Sequence, residues 1–454
     1  MYWLEACQSY YASDAYNWPA RPTAPGVKTT YRSIEGTFDI LPGSASPVTR
    51  SEAWCHVEER IRAVMQRFAF AEIRTPVLEP LDLIARGVGE LTDIVTKEMF
   101  SFERGSTNYV LRPEMTAPVM RAYLQHHLDQ RPGEQRLFYM GPCFRAERPQ
   151  KGRYRQFHQF GAEIIGSTDA RADAEIIACT VEIYSALGLG STLLRINTLG
   201  DAESRPRYIQ ALRAYFEPFS QELSATSQGR LKSNPLRILD TKLEHEAALV
   251  QSAPRLMDFV DPDSRAHYEA VKVLLAEVGV PFVEDPFLVR GLDYYSRTAF
   301  ELESPEIGAQ SALAGGGRYD LLSVSVGSRK PVPAVGFAAG MERLLLALEA
   351  ADAPWPDTLP PTVFLIGLGE SAEKAVFGLA LRLRQAGLRA THGLRSRSMK
   401  AQMRTAHRVG AGYCVIVGDE ELASGYAQVK EMTQGVQETV PFDVLPRYLL
   451  SHRT

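Results

Sequence analysis

Segment 141–163, GPCFRAERPQKGRYRQFHQFGAE, constrains the fold more than any other part of the chain. It contains two β-like runs that flank a short basic loop. Pro149 and Gly152 lie in this loop, and both residue types are typical of turns. The segment therefore predicts two strands joined by a positively charged turn.

The second of these runs places several chemically useful side chains on one face. Residues two apart in a strand point to the same side, so Phe157, Gln159 and Glu163 share a face. Together with Arg145 at the end of the first run, they suit a small polar substrate. The charge of the loop predicts an anionic partner such as a phosphate, a nucleotide or RNA. Its basic residues are Arg148, Lys151, Arg153 and Arg155.

The length and charge of the chain predict several domains. At 454 residues it exceeds the size at which a single core usually divides. The net charge of −4 argues against a wholly basic nucleic-acid binder, but residues 361–454 carry 12 Lys and Arg against 8 Asp and Glu. The five cysteines are far apart and form no C-x-x-C pair, so we expect no disulfide framework, no zinc site and a reducing cytoplasm.

The N-terminal 30 residues have no basic start followed by an apolar run, so they do not predict a secretory signal. We expect them to form a poorly ordered extension without an assigned function. An uninterrupted apolar segment of about 18 residues is not found in the sequence, so we expect no membrane span.

Proline breaks suggest how the rest of the chain is divided. Helical patterns at 201–285 are interrupted by prolines and predict an inserted helical domain, although a solvated helical spacer fits equally well. The run PWPDTLPP at 354–361 predicts a stiff linker. Beyond it, apolar strands near 362–368 and 413–417 alternate with helical patterns, which indicates an α/β domain with a mixed sheet. Residues 389–408 hold six Lys and Arg and no acid, which suits an RNA backbone or a solvated face.

Two segments before the basic loop have clear local patterns. Apolar residues recur three and four apart from 51 to 69, which predicts an amphipathic helix, and the strand that follows is cut short at Pro76. On their own they indicate a core helix and an edge strand. After a strand near 108–112, Glu114 and Thr116 lie at the start of another helix. Spacing alone predicts that the threonine caps this helix and that the glutamate complements its dipole.

Four segments resemble, in order, the signature motifs of class II aminoacyl-tRNA synthetases, and in detail those of the histidine-specific family. Residues 36–102, beginning GTFDILPG, resemble the first motif, and 141–163 resemble the second. Residues 289–296, VRGLDYYS, resemble a segment peculiar to the histidine-specific family, and 334–346, AVGFAAGMERLLL, resemble the third motif. The resemblance covers about residues 31–445.

The resemblance implies an α+β catalytic domain built on an antiparallel sheet with flanking helices, which is the class II synthetase fold. It also implies a homodimer that forms through the helix, strand and proline of the first motif. The expected division of the chain is 1–30 as an N-terminal extension, 31–353 as the catalytic domain with a helical insertion at about 201–285, 354–361 as a linker, and 362–454 as an anticodon-binding α/β domain with a mixed sheet.

The resemblance also implies roles for individual residues. Activation of an amino acid is attack of its carboxylate on the α-phosphate of ATP, so the site needs positioning and positive charge rather than a general base. The implied catalytic residues are Arg145 and Arg290, for which surface ion pairs are the plainer alternative. The implied histidine-binding residues are Glu114, Thr116, Gln159, Glu163, Tyr294 and Tyr295. The implied ATP-binding residues are Arg145, Glu147, Phe157, Arg290 and Arg343. The implied contacts with the acceptor end of tRNA are Arg148, Gln150 and Arg153.

Recognition of the imidazole ring needs a polar partner for each ring nitrogen, because a buried unpaired group costs about 1–3 kcal/mol. Glu163 and Tyr295 are the implied partners, although paired tyrosines more often pack within a sheet. In a regular strand Arg290 would share a face with Tyr294 rather than Tyr295, so we expect a bulge at Gly291.

The run GGGRYD at 315–320 lacks the Walker spacing, which excludes a Walker ATPase. It predicts a strand and a turn that border the pocket.

The function that these features predict is histidine–tRNA ligase activity. Histidine and ATP would form histidyl-adenylate, and the histidyl group would pass to the 3′-terminal ribose of tRNA(His). The expected partners are tRNA(His), L-histidine, ATP with Mg²⁺ and a second copy of the chain. We expect no association with a membrane. No carboxylate cluster in the sequence marks the position of the Mg²⁺ ion. The alternative is a non-catalytic, histidine-sensing regulatory subunit of ATP phosphoribosyltransferase. Arg290, the basic loop at 148–155 and the C-terminal domain argue against that alternative.

Overall fold

The computed structural model describes residues 31–89, 92, 94–239, 241, 243–289, 292, 294–353, 355, 362–393 and 398–452. The predicted extension at 1–30, most of the predicted linker and Arg290 lie outside these ranges.

The part of the chain before the linker is built on two sheets. Its strands are β1 (Ala71–Glu72), β2 (Leu78–Pro80), β3 (Phe100–Arg104), β4 (Thr107–Leu111), β5 (Gln135–Phe144), β6 (Gln156–Ile165), β7 (Leu193–Thr198), β8 (Val283–Glu284), β9 (Ser296–Glu303), β10 (Ala312–Arg318) and β11 (Ala334–Gly340). The large sheet has the order β1-β5-β6-β11-β10-β9-β7-β8, and the small one has the order β2-β4-β3. In the large sheet, all neighbouring strands in the run β5-β6-β11-β10-β9-β7 are antiparallel. The short edge strands are parallel to their neighbours, β1 to β5 and β8 to β7. This arrangement confirms the predicted antiparallel sheet.

Helices flank the large sheet and cover one of its faces. The helices of this part of the chain are α1 (Ser51–Arg67), α2 (Leu81–Val88), α3 (Thr116–Gln125), α4 (Ala170–Ala186), α5 (Ser204–Phe216), α6 (Ala225–Ser233), α7 (Glu244–Gln251), α8 (Pro262–Glu277), α9 (Leu322–Ser325) and α10 (Met341–Ala350). The main core joins the apolar faces of α1, α4, α8 and α10 to the sheet. In α1 the buried residues include Trp54, Val57 and Ile61, which belong to the apolar stripe predicted from the sequence.

Residues 201–285 fold mainly as helices. Helices α5 to α7 share a core of their own around Tyr208, Leu212 and Phe216. By contrast, α8 buries Tyr268 and Val271 in the main core and packs against α4. The last helix of the region therefore belongs with the large sheet.

The C-terminal part of the chain forms a second α/β unit. Its elements are β12 (Thr362–Gly367), α11 (Glu370–Gln385), β13 (Ala390–His392), α12 (Met399–Arg408), β14 (Ala411–Val417), α13 (Asp419–Ser424), β15 (Tyr426–Glu431), β16 (Gln437–Pro441) and α14 (Leu445–Ser451). The sheet has the order β13-β12-β14-β15-β16, with β12 parallel to both neighbours and the remaining pairs antiparallel. The predicted mixed sheet is confirmed. Over the described part of the chain, none of the helices combines the length and apolar character that crossing a membrane requires.

Strand β6 separates the main core from the candidate site. Its even-numbered residues Phe160, Ala162 and Ile164 are buried in the main core. Its odd-numbered residues point the other way, as the strand period of two predicts. The polar row of the sequence therefore faces away from the main helical core.

Candidate active site

A cleft of about 260 Å³ opens over strands β6, β10 and β11. The fold brings residues from separate segments of the chain together around it. The predicted site residues that line it are Glu114, Thr116, Arg145, Glu147, Arg153, Phe157, Gln159, Tyr294, Tyr295 and Arg343. Glu163 is fully buried behind Thr116, to which it is hydrogen-bonded. Arg148 and Gln150 lie on the exposed loop next to the cleft.

Glu114 and Thr116 lie at the start of α3, where the glutamate rather than the threonine caps the helix. The Glu114 carboxylate accepts the backbone N–H groups of Thr116 at 2.8 Å and Ala117 at 2.9 Å. The Thr116 hydroxyl instead donates to Glu163 Oε1 at 2.9 Å. Burial raises the pKa of Glu114, and the two N–H bonds and Arg145 act against this rise. The cap therefore places a buried carboxylate at the edge of the cleft.

Three hydroxyl groups donate to the Glu163 carboxylate. Thr116 and Tyr139 bond to Oε1 at 2.9 Å and 3.1 Å, and Tyr319 bonds to Oε2 at 2.6 Å. Burial raises the pKa of Glu163 to about 8, while these hydrogen bonds act to lower it. A carboxylate has about four acceptor positions, so Glu163 can accept one further hydrogen bond.

The partners of Glu163 are residues that our sequence reasoning missed. Tyr139 pairs with Gly161 across β5 and β6, and a Cβ at Gly161 would clash with the tyrosine hydroxyl. Gly336 on β11 pairs with Glu163, and a Cβ at Gly336 would overlap the carboxylate. The hairpin register could have revealed Tyr139. Tyr319 and Gly336 depend on pairing between strands distant in sequence, for which the glycine runs were the only local signal.

Tyr294 and Tyr295 both line the cleft. Their ring centroids lie 4.6 Å apart, and Tyr294 also packs edge-on against Tyr319 at 5.6 Å. In the described residues, β9 begins only at Ser296, so a regular strand does not carry the pair. The expected strand parity therefore does not apply to these tyrosines. Gly291, at which we expected a bulge, lies outside the described residues.

Arg145 reaches the cleft directly after β5. Its Nε donates to the Pro113 carbonyl at 3.0 Å. Its guanidinium carbon lies 5.1 Å from the Phe157 ring centroid, which is within cation–π range, and Nη1 lies 3.7 Å from Glu147 Oε1. These contacts hold a positive charge in a defined position.

Arg343 lies in the first turn of α10 and approaches the same part of the cleft. It donates to the Gly152 carbonyl at 3.2 Å and to the Ala312 carbonyl at 2.9 Å. Burial lowers the pKa of Arg343, and the nearby charges of Arg153 and Arg145 lower it further. A guanidinium group that two others repel in this way favours an anion beside it.

The loop between β5 and β6 closes as a tight turn. Gln150 and Arg153 exchange two backbone hydrogen bonds, of 3.1 Å and 2.9 Å, and Gly152 has a φ of +77° that favours glycine. Arg153 also pairs with Glu147 at 3.3 Å. The turn therefore directs Arg153 to the cleft and leaves Arg148 and Gln150 exposed.

Two predicted features lie partly or wholly outside the described residues. Arg290, the second implied catalytic arginine, is outside them, and so are residues 394–397 of the basic run. Within the described part of that run, Lys400, Arg404 and Arg408 are exposed on α12. RNA binding by this run stays a prediction.

Metal binding at this cleft depends on the carboxylates that line it. Among the described residues, we find no group of three or more His, Cys, Asp or Glu that could hold a metal ion. Glu147 and Glu301 both line the cleft, and their negative charges act to raise the pKa of Arg343. Because Mg²⁺ commonly takes one or two carboxylates together with substrate phosphates, the cleft fits a magnesium ion that arrives with a polyphosphate.

Comparison with known proteins covers both parts of the chain. The family model for histidyl-tRNA synthetase matches residues 36–344, and a model for an anticodon-binding domain matches residues 362–452. A histidine–tRNA ligase of Chloroherpeton thalassium is 48% identical over 411 residues, which are 90% of this chain and 95% of that protein. One from Synechococcus sp. is 45% identical over 426 residues, 93% of this chain and 99% of that protein.

Solved structures agree with these matches. The crystal structure of apo histidyl-tRNA synthetase from S. aureus has a TM-score of 0.77 at 37% identity, and the match covers 92% of this chain and 99% of that one. A Bacillus halodurans structure described as an ATP phosphoribosyltransferase regulatory subunit/histidyl-tRNA synthetase has a TM-score of 0.60 at 21% identity, over 83% of this chain and 97% of that one. At that identity the second likeness shows the fold alone.

Proposed function

We infer that this chain, which belongs to the histidyl-tRNA synthetase family, uses the cleft described above for the family's reaction. It is a histidine–tRNA ligase, which joins histidine to its tRNA with ATP as the second substrate. The assignment of the reaction to this cleft rests on one observation. Ten side chains predicted from separate segments of the sequence line the same cavity.

We assign the amino-acid end of the cleft to Glu114, Thr116 and Gln159. A carboxylate, a hydroxyl and an amide oxygen are suitable acceptors for the α-ammonium group of histidine. Gln159 is oriented by the Cys143 thiol, which lies 3.5 Å from its Oε1. Burial raises the pKa of the Cys143 thiol to about 12, so it stays protonated and keeps donating at neutral pH.

Glu163 and Tyr295 are the proposed readers of the imidazole ring. A carboxyl group with a pKa of about 8 can either donate to a ring nitrogen or accept from a ring N–H close to neutral pH. An analogue without a ring nitrogen would leave the remaining hydrogen-bonding position of this buried carboxyl group unfilled. Such a site rejects apolar side chains of similar size far better than a hydrophobic pocket does.

We assign the ATP end to Arg145, Arg343, Phe157, Glu147 and Arg290. The nucleophile is the carboxylate of histidine, which is already ionised, so the residues must orient it and stabilise charge at the α-phosphate. Arg145 is held for that task by Pro113 and Phe157. Mg²⁺ would enter with ATP, and Glu147 and Glu301 are the carboxylates that would complete its shell.

The proposed tRNA contacts lie at two places. Arg148 and Gln150 are exposed on the loop beside the cleft, and we assign them, with Arg153, to the acceptor end. The basic helix α12 of the C-terminal domain is assigned to the anticodon region, because clustered positive charge attracts an RNA backbone. A cytoplasmic location stays a prediction.

We also propose that the protein forms a homodimer. The β2-β4-β3 sheet buries Val110 on one side, while its other side, here called the outer sheet face, consists of Leu78, Pro80, Phe100, Phe102, Tyr109 and Leu111. Leu78 and Phe102 are each 47% exposed. Leu78, Pro80, Phe100 and Phe102 lie within the segment that resembles the first motif, so a second copy is the proposed partner of the outer sheet face.

Charging of tRNA(His) with labelled histidine tests the proposed function against the regulatory alternative. We expect the full-length protein to form histidyl-tRNA in the presence of ATP and Mg²⁺, and we expect Arg145→Ala to reduce the rate by about 100-fold or more. Arg171→Ala, which changes an exposed arginine on α4, is the control and should charge normally. Histidine binding by calorimetry without any charging would support the regulatory alternative instead.

A further inference from the structure

Arg112, a buried arginine between β4 and the cleft, has no role in the assignments above. Its side chain is 3% exposed. Nη1 donates to the Thr75 carbonyl at 2.7 Å, to the Thr75 hydroxyl at 2.9 Å and to the Pro76 carbonyl at 3.2 Å, and Nε donates to the Pro142 carbonyl at 2.9 Å. In the described part of the chain, no carboxylate lies within ion-pair distance of it.

The backbone of Arg112 joins the same parts of the fold. Its N–H donates to the Val77 carbonyl at 2.9 Å, and its carbonyl accepts from the Phe144 N–H at 3.0 Å. Gly141 leaves the space that the guanidinium occupies, since a Cβ there would lie 2.7 Å from Nη2. Arg112 therefore joins the segment that follows edge strand β1 to the end of β5.

The residues directly after Arg112 carry much of the proposed substrate site. The Pro113 carbonyl accepts from Arg145, and Glu114 caps α3. Thr116 bonds to Glu163. A shift of this short loop would displace groups assigned to the α-ammonium group and to the imidazole ring.

A buried cation with neutral partners costs free energy that an apolar side chain of similar volume would not. What only arginine supplies here is a planar set of donors that reaches oxygens of two chain segments at once. We propose that Arg112 is a positioning residue for histidine binding, which fixes the loop at 113–116 by holding it to Thr75, Pro76 and Pro142. This proposal rests on the function assigned to the cleft.

The test compares Arg112→Met and Arg112→Lys with Arg121→Met. Arg121 is a matched control because it lies on α3 and pairs with the buried Glu79, away from the loop. The measurements are the Kd for histidine by calorimetry, the KM values for histidine and ATP in ATP–pyrophosphate exchange, and the midpoint of thermal unfolding.

We expect Arg112→Met to raise the Kd and KM for histidine about ten-fold or more, with a smaller change in the KM for ATP, because several buried hydrogen bonds are lost. Arg112→Lys should lie between it and the wild type, since a lysine keeps the charge but not the planar donors. Arg121→Met should lower the unfolding midpoint and leave the KM for histidine within about two-fold.

Histidine binding at the wild-type level in the Arg112 variants would overturn the proposal, as would equal weakening by Arg121→Met. If the methionine variant does not fold, the lysine variant decides between these outcomes. A wild-type protein without histidine-dependent exchange would instead contradict the proposed function, so the two failures are distinguishable.

Discussion

Glu163, the proposed reader of the imidazole ring, also makes the stability of the protein depend on pH. Burial raises its pKa from 4.5 to about 8, although hydroxyl groups of Tyr319, Thr116 and Tyr139 donate to it. In the unfolded chain the same group ionises near its ordinary value. The folded state therefore binds one more proton than the unfolded state between about pH 4.5 and pH 8.

The sign of this linkage gives a prediction for Glu163→Gln. The contribution of Glu163 to stability is fully present below pH 4.5 and is lost as pH rises through about 8. Relative to the variant, the wild type should lose stability between pH 5 and pH 8, as measured by thermal unfolding without ligands. The variant should also bind histidine about 10- to 100-fold more weakly, because a buried ring nitrogen loses its hydrogen-bond partner.

Glu246→Gln is the control for this pH series. Burial acts to raise the pKa of Glu246, but hydrogen bonds from Thr241, Ser224 and Ser227 outweigh it and bring the pKa to about 2. Glu246 is therefore ionised in both states above pH 5, and its replacement should not change the slope from pH 5 to pH 8. Parallel pH profiles for the wild type and Glu163→Gln would contradict the assigned protonation of Glu163.

At the scale of elements, one buried ion pair joins a strand to two helices. Arg318 at the end of β10 pairs with Asp173 on α4, and both side chains are fully buried. His267 on α8 also contacts Asp173, at 3.2 Å. The next residue, Tyr319, donates to Glu163, so the pair also fixes one wall of the site.

Arg318→Met should lower the free energy of unfolding by about 3 kcal/mol or more, because it leaves the Asp173 carboxylate buried without its arginine partner. Unfolding in guanidinium chloride measures this change. The matched control is Arg171→Met, since Arg171 pairs with Asp169 on the surface of the same helix and should have little effect. Equal stability of the two variants would show that the buried pair does not hold β10 to α4.

Secondary-structure elements could be predicted where the spacing of polar and apolar residues alone determines them. The polar row on β6, the apolar stripe of α1 and the mixed C-terminal sheet follow from residue spacing. Tyr319 and Gly336 were not predicted as partners of Glu163, because their meeting depends on pairing among β6, β11 and β10, which are far apart in sequence. The helix cap at Glu114 was assigned to Thr116 because spacing does not show which of two nearby oxygens turns back to the helix.

At the scale of the whole molecule, the outer sheet face is an exposed apolar surface that suits a partner. Phe102 and Tyr109 stack on it with ring centroids 5.7 Å apart, and Leu78 is exposed on the same side. An apolar cluster of this kind on the surface usually marks an interface.

Phe102→Asp should shift the protein from dimer toward monomer in sedimentation equilibrium, because a charge would be buried in the proposed interface. The control is Phe377→Asp, which replaces an aromatic residue that is 61% exposed on α11. The control should sediment like the wild type. A Phe102→Asp protein that remains dimeric at the same concentrations would place the interface elsewhere.

The central claim is that the cleft over β6, β10 and β11 activates histidine with ATP, and histidine-dependent ATP–pyrophosphate exchange tests it most directly. The full-length protein should exchange label with histidine and with none of the other standard amino acids, and Arg290→His should abolish exchange while histidine still binds. Exchange with a different amino acid, or no exchange in a wild-type protein that binds histidine, would contradict the claim.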